Sequence, residues 1–249
     1  MPIQVVVVGA AGRMGSSSTK FFMDDPAFEV VGLFDRTQSE CPVSSLPIEA
    51  DIDGCLDRTK PDVALIFTTG KAAGPLALAA VSRGIATVIG SSGVDANDIA
   101  TIRAQTDKAP CLLVPNFSVG AVLMMQFAQK AAQYFPNCEI IELHHEKKID
   151  APSGTAIRTA QMIAEARTSE PLPAGGEEER GITVEGINIH SVRLPGLLAH
   201  QEVLFGRHGE LLTLRHDSLD RSSFELGIKL CCAKVRELKG FVVGMEHLL

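Results

Sequence analysis

The stretch HHEKKIDAPSGTA, residues 144–156, sets two histidines, two lysines and a Pro-Ser-Gly-Thr turn side by side. Each component has its own chemistry. A histidine moves protons near neutral pH because its ordinary pKa of about 6.5 lies there. A helix opening near Ser153 or Gly154 turns the N–H groups of Gly154 and Thr155 toward an anion such as a carboxylate, with the Ser153 and Thr155 hydroxyls beside them. Pro152 suits the approach to that first turn. Lys148 adds a cation nearby, whereas Lys147 reads as a solvated surface charge. On an extended strand His144 and His145 point to opposite faces, so only one meets a given ligand unless the strand bends.

A second stretch, GAAGRMG at 9–15, follows an apolar run and opens a helical one. Gly9 permits the tight turn, Gly12 lets the backbone approach a pyrophosphate, and Gly15 allows close packing of helix on strand. The helix N-terminus offers N–H groups and partial positive charge to phosphates. Asp35 ends the next strand, the place of an acid that binds adenosine ribose hydroxyls. Arg36 beside it suits a 2′-phosphate, so NADH and NADPH are both expected as cofactors. A solvated arginine in a turn is its plain alternative. From the residues alone the chain reads as an oxidoreductase with a small anionic substrate.

Positioning such groups takes a scaffold, and two rhythms mark it. The runs IQVVVV (3–8), FEVVGLFD (28–35), DVALIF (62–67), ATVIG (86–90) and CLLVP (111–115) are continuously apolar, as in strands buried on both faces. Helical stretches separate them: one to about Asp24, stopped by Pro26, and others over 72–83 and 95–107. That alternation signals a parallel α/β sheet. After Asn116 the rhythm changes. Residues 119–135 read as a mostly buried helix ended by Pro136, 138–148 as a strand, and Gly154 to about Arg167 as a helix. Residues 171–181 are loop-like. Three strand-like runs follow at 187–194, 200–206 and 210–216, in an antiparallel or mixed open sheet. A helix is expected over 221–238, and the closing GFVVGMEHLL is expected to pack back on the first domain.

Composition narrows the classes. A formal net charge of -7 argues against a general nucleic-acid binder, which needs a basic face. Aromatics at 5% with no tryptophan leave little for stacking single strands. Hydrophobic residues at 45% against 21% charged describe a globular chain with a substantial core. Cys41, Cys55, Cys111, Cys138, Cys231 and Cys232 lack C-x-x-C spacing and read as reduced thiols, not as a disulfide framework or a metal site. No apolar run approaches the roughly 18 residues of a spanning helix, and the N-terminus lacks a signal peptide's basic region and cleavage site. A soluble cytoplasmic protein, off the membrane, is the expectation.

GAAGRMG, PNFSVG (115–120) and HHEKKIDAPSGTA together resemble the 4-hydroxy-tetrahydrodipicolinate reductase (dihydrodipicolinate reductase) family of lysine biosynthesis. Its patterns G-x-x-G-R-M-G, N-F-S-x-G and H-H-x-x-K-x-D-A-P-S-G-T-A are matched in order, over essentially the whole chain. The resemblance implies an α/β fold with a Rossmann-type dinucleotide-binding domain over 1–118 and 219–249. A second α+β open-sheet domain over 119–218 would carry the substrate site and usually builds a homotetramer. It implies that Gly9, Ala10, Ala11, Gly12, Arg13 and Met14 cradle the pyrophosphate, with Asp35 and Arg36 around the adenosine ribose. Gly90, Ser91 and Ser92, with Val114, Pro115, Asn116 and Phe117, would line the nicotinamide half. Two departures stand out. GSSG at 90–93 replaces the frequent Gly-Thr-Thr-Gly, and Thr69 and Gly70 stand where members commonly place a basic residue and proline.

The family reaction is reduction of a cyclic imine dicarboxylate by NAD(P)H, with hydride delivered to ring C4 and a proton added to the resulting enamine. On this resemblance His144 is the proton donor and Lys148 its cationic partner. His145, Ser153, Gly154 and Thr155 hold the ring carboxylates. Without the resemblance the same constellation suits another two-domain dehydrogenase, of the semialdehyde or homoserine type, the former requiring a nucleophilic cysteine. A non-catalytic dinucleotide sensor would bind NAD(P)H without turnover.

Overall fold

Val5, Val6, Val7 and Val8 are at most 1% exposed, so the first strand is enclosed on both faces. Branching at Cβ favours extended backbone, and burying each side chain contributes roughly 1.5–3 kcal/mol. In the computed structural model, which describes residues 1–36, 43–170 and 180–249, this strand is β1 (Ile3–Val8). It is followed by α1 (Arg13–Met23), β2 (Phe28–Phe34), β3 (Ile48–Glu49), α2 (Ile52–Thr59), β4 (Val63–Ile66), α3 (Gly70–Ser82), β5 (Ala86–Ile89), α4 (Ala96–Arg103) and β6 (Cys111–Leu113). Next come α5 (Val119–Ala131), β7 (Asn137–His144), α6 (Gly154–Ala166), β8 (Ile182–Val184), β9 (Ile187–Arg193), β10 (Ala199–Arg207) and β11 (Glu210–Ser218). The chain closes with α7 (Glu225–Lys234) and β12 (Phe241–Val243). Two compact units result: Met1–Phe117 with Phe224–Leu249, and Ser118–Ser223.

The first unit holds a seven-stranded sheet in the order β12-β6-β5-β4-β1-β2-β3, and every pair in it is parallel. The order reverses between β1 and β4, and open α/β sheets bind ligands at the carboxyl ends of such strands. The expected return of the C-terminus is seen in β12, which pairs with β6. Helix α1 buries Gly15, Ser18 and Thr19 together with Phe21 and Phe22, so small residues let it lie close to the sheet. Helix α4 stops at Arg103, short of the expected 107, and β3, α2 and β12 were not foreseen.

The second unit holds a five-stranded sheet, β11-β10-β7-β9-β8. It is mixed: β7 runs parallel to β9 while the other pairs are antiparallel. Alternate residues Ile140, Ile187, Ile189, Val203 and Phe205 are buried and share one face, and α5 and α6 pack on these strands. The strand expected over 138–148 ends at His144, because the chain turns there and the Lys148 N–H closes on the His145 carbonyl at 3.1 Å. His145 therefore stands in a turn and not on a strand face. The helix expected over 221–238 is shorter, with 3-10 turns at Arg221–Phe224 and Val235–Glu237 flanking α7. The loop expected over 171–181 lies outside the described residues except for Arg180 and Gly181, and Cys41 lies outside them too. Among the described residues no helix is long and apolar enough to cross a membrane.

Candidate active site

In the first unit, the segments singled out for a dinucleotide all follow parallel strands: 9–14 after β1, 35–36 after β2, 90–92 after β5 and 114–117 after β6. Gly9 has φ +86°, and a Cβ there would lie 2.1 Å from the Phe67 carbonyl oxygen. A Cβ on Gly15 would meet the Gly9 carbonyl oxygen, also at 2.1 Å. Both glycines are thus required by close approach. Gly12 differs, since its Cβ would meet only the Gly9 carbonyl oxygen, at 3.2 Å. It is the N-cap of α1, no side chain caps that helix, and the first turn carries no acid. First-turn N–H groups have no acceptor within a helix, and the helix N-terminus attracts phosphate. The residues present fit a dinucleotide pyrophosphate.

The loop is braced before any ligand arrives. Gly9 and Ala10 donate to the Phe34 carbonyl, and Ala11 donates to Asp35 Oδ2 at 3.0 Å. Arg36 is exposed beside it. Ser91 is buried and its Oγ accepts from the Thr68 N–H at 3.0 Å, so this hydroxyl ties two loops together. Ser92 is exposed, Val114 and Phe117 are buried, and Phe117 meets Phe67 edge-on at 5.5 Å. The departure at Gly70 has a local cause. A Cβ there would fall 2.1 Å from the Gly93 carbonyl oxygen and 2.5 Å from that of Ser92, so only glycine lets these loops touch.

In the second unit, the end of β7 and the start of α6 bring the polar groups together. Ser153 is the N-cap of α6, and its Oγ accepts from the Ala156 N–H at 3.2 Å. Its own N–H goes to Glu142 Oε1 at 3.2 Å. Gly154 is exposed, with nothing within 4 Å of where a Cβ would stand, and Thr155 is half-buried. His144 Nδ1 lies 2.5 Å from Glu142 Oε2. Lys148 Nζ donates to both oxygens of Asp150, at 2.8 and 2.7 Å, and lowers that carboxyl below its ordinary range. His144 and the α6 N-cap Ser153 thus share Glu142, and Lys148 is held by Asp150 in the loop between them, an arrangement suited to an anion with a proton donor beside it. The His145 carbonyl accepts from the Lys148 N–H in the turn that follows β7. Lys147 is exposed.

Sequence reading missed two members. Glu142 is completely buried, and Arg193 reaches it with two N–H groups, at 2.9 and 2.8 Å. Arg193 also donates to the Asp150 carbonyl at 2.7 Å. Burial alone would raise the Glu142 carboxyl, but hydrogen bonds from His144, Arg193 and Ser191 outweigh it and hold the value at about 2. The available signal was a glutamate two residues before His144, hence on the same face as the apolar Ile140.

The described cysteines do not supply the nucleophile of a semialdehyde dehydrogenase. Burial pushes the Cys55, Cys111 and Cys231 thiols up to about 12 and Cys138 to about 11, and raises Cys232 as well. A thiol needs a lowered pKa to be reactive.

Family models match both parts of the chain. Dihydrodipicolinate reductase, N-terminus, matches residues 3–117, and dihydrodipicolinate reductase, C-terminus, matches 120–249. The 4-hydroxy-tetrahydrodipicolinate reductase of Listeria welshimeri is 46% identical over 262 residues, covering 99% of this chain and 100% of that protein. The enzyme of the same name from Bacillus pumilus is 44% identical over 261 residues, covering 99% and 98%. Among solved structures, dipicolinate-bound dihydrodipicolinate reductase from Paenisporosarcina sp. TG-14 superposes with a TM-score of 0.89 at 39% identity, covering 100% of both chains.

Proposed function

The chain belongs to the dihydrodipicolinate reductase family, and we propose that His144 and the α6 N-terminus carry out that family's reduction here. It is an NAD(P)H-dependent reductase of 4-hydroxy-tetrahydrodipicolinate, an enzyme of lysine and diaminopimelate biosynthesis. The observation that carries the residue-level reading is that Glu142 joins His144 to Ser153, beside the exposed Gly154.

When bound, NAD(P)H would supply the hydride for ring C4 of the conjugated imine that forms when the 4-hydroxyl leaves as water. The protein's residues do the rest. The α6 N-terminus, through Ser153, Gly154 and Thr155, holds one ring carboxylate, and His145, in the turn after β7, assists in holding the ring. Lys148 places positive charge beside the dianion. His144 gives the proton that the enamine takes up. In the other unit 9–14 hold the pyrophosphate, Asp35 the ribose hydroxyls and Arg36 a 2′-phosphate when one is present. Residues 90–92 and 114–117 border the nicotinamide half. The Paenisporosarcina reductase binds dipicolinate, and the same class of planar 2,6-dicarboxylate is expected to compete with substrate here.

The assembly we propose is a homotetramer built through the second unit's sheet in the cytoplasm. Its support is the face opposite the helices, where Ile141, Leu143, Val192 and Leu204 are only half-buried. Light scattering that gives a monomer mass at working concentration would remove the assembly and leave the reaction untouched. For the reaction, the cyclic substrate is generated in situ and the oxidation of NADH or NADPH is followed optically. Oxidation with either cofactor is expected; none above background with both would overturn the reading.

A further inference from the structure

Glu142 has no place in the reaction just described, yet it is the most heavily bonded side chain near it. A carboxylate with no solvent exposure is costly unless its oxygens are satisfied. Here Oε1 accepts from Arg193 at 2.8 Å and from the Ser153 N–H at 3.2 Å. Oε2 accepts from Arg193 at 2.9 Å and stands 2.5 Å from His144 Nδ1. An arginine has no acceptor to offer, so its two-pronged contact keeps both oxygens as acceptors. Nδ1 must then be the donor to Oε2, and Nε2 is the ring nitrogen left to exchange a proton.

The same carboxylate reaches further. Through the Ser153 N–H it satisfies the N-cap of α6, a group that helix geometry leaves for outside partners. Through Arg193, which also holds the Asp150 carbonyl, it is connected to the loop whose Asp150 carboxylate holds Lys148. One buried group thereby fixes the histidine ring, the anion-binding turn and the lysine loop together.

We propose that Glu142, clamped by Arg193, is a positioning residue that holds His144 in the Nδ1–H tautomer and aims Nε2 for proton transfer. This rests on the reading of His144 as proton donor. Glu142 does not touch substrate; it acts through the ring, as the partner of a catalytic imidazole does when it sets which nitrogen carries the proton.

The test has two parts. Nitrogen-15 chemical shifts of the neutral His144 ring, assigned by loss of the signal in His144→Ala, report the tautomer in the wild-type protein. Nδ1–H is expected, and Nε2–H would overturn the proposal without any variant having to fold. Glu142→Gln keeps the shape but can donate to the ring as well as accept, so a mixture of tautomers is expected. Its kcat should fall about tenfold or more, within the roughly 10²–10⁴-fold that a positioned proton donor contributes, while KM stays within about threefold. Glu142→Asp should recover part of kcat. Unchanged tautomer and kcat in Glu142→Gln, beside a collapsed kcat in His144→Ala, would sink this proposal alone. A full kcat in His144→Ala would sink the proton-donor reading beneath it.

Discussion

The two proposed anion sites are built differently. The first would use mainly backbone: a glycine turn, an uncapped helix and no acid in the first turn of α1. The second would add side chains to a helix N-terminus, with His144, Lys148 and Arg193 strung on two carboxylates, Glu142 and Asp150. A backbone site tolerates little but glycine and needs few partners. A side-chain site places charge closely, but each charge must be held by another. The first should therefore be sensitive to steric change and the second to loss of a single bond.

The largest effect that would sharpen this contrast lies in the second unit. His144→Ala should lower kcat roughly 10²–10⁴-fold, since its proposed task is proton transfer, and leave NADH affinity nearly unchanged. Single-turnover measurements that show an intact chemical step would move the proton-donor role, with Lys148 the next candidate.

A pH titration of stability comes next. The Glu142 carboxyl is held at about 2 against an ordinary 4.5, so folding binds its ionised form more tightly. The resulting stabilisation, on the order of 3 kcal/mol, is fully present above about pH 5. It is lost as the pH falls through 4.5 toward 2. Denaturant midpoints across that window should fall further for the wild type than for Glu142→Gln, and parallel curves would show that the buried carboxylate contributes nothing of the kind.

Gly12→Asp probes the backbone site. Aspartate is a good N-cap, so stability should hold or rise by a few tenths of a kcal/mol. Its carboxylate would occupy the phosphate seat, so NADH affinity should fall by about a hundredfold, or about 2.7 kcal/mol. Full affinity by fluorescence titration would place the pyrophosphate elsewhere. The smallest effect belongs to Arg36→Ala, expected to weaken NADPH more than NADH by about tenfold, with the wild type preferring neither beyond roughly a hundredfold. Equal losses would mean that Arg36 does not meet the 2′-phosphate.

The same contrast explains what the sequence made legible. Gly9, Gly12 and Gly15 are spaced by local geometry, so the glycine turn that opens α1 could be read from seven adjacent residues. The valine run of β1 and the apolar runs of β4 and β5 announced a parallel sheet because burial on both faces erases alternation. Elements of two or three residues such as β3, β8 and β12 carry too few positions to show a period, and IDGCLDRT in α2 hides a helix behind aspartates and a glycine. In the second unit, the motif showed His144, Lys148 and Ser153, but the carboxylate that ties His144 to Ser153 is held by Arg193 from 51 residues away. No local pattern encodes that pairing. The sequence pattern carries β7 on to 148, past its end at His144, because the turn there holds neither glycine nor proline to mark it.

The most direct test of this division of labour is a paired titration of Lys148→Ala. Inhibition by dipicolinate against the cyclic substrate and binding of NADH are measured on the same preparation, beside the wild type. Loss of a charge-assisted hydrogen bond worth about 1.5–3 kcal/mol should weaken dipicolinate by roughly 10- to 100-fold, with NADH affinity within about twofold. Unchanged inhibition, or NADH affinity falling in step with it, would contradict a dianion held by the side chains of the second unit.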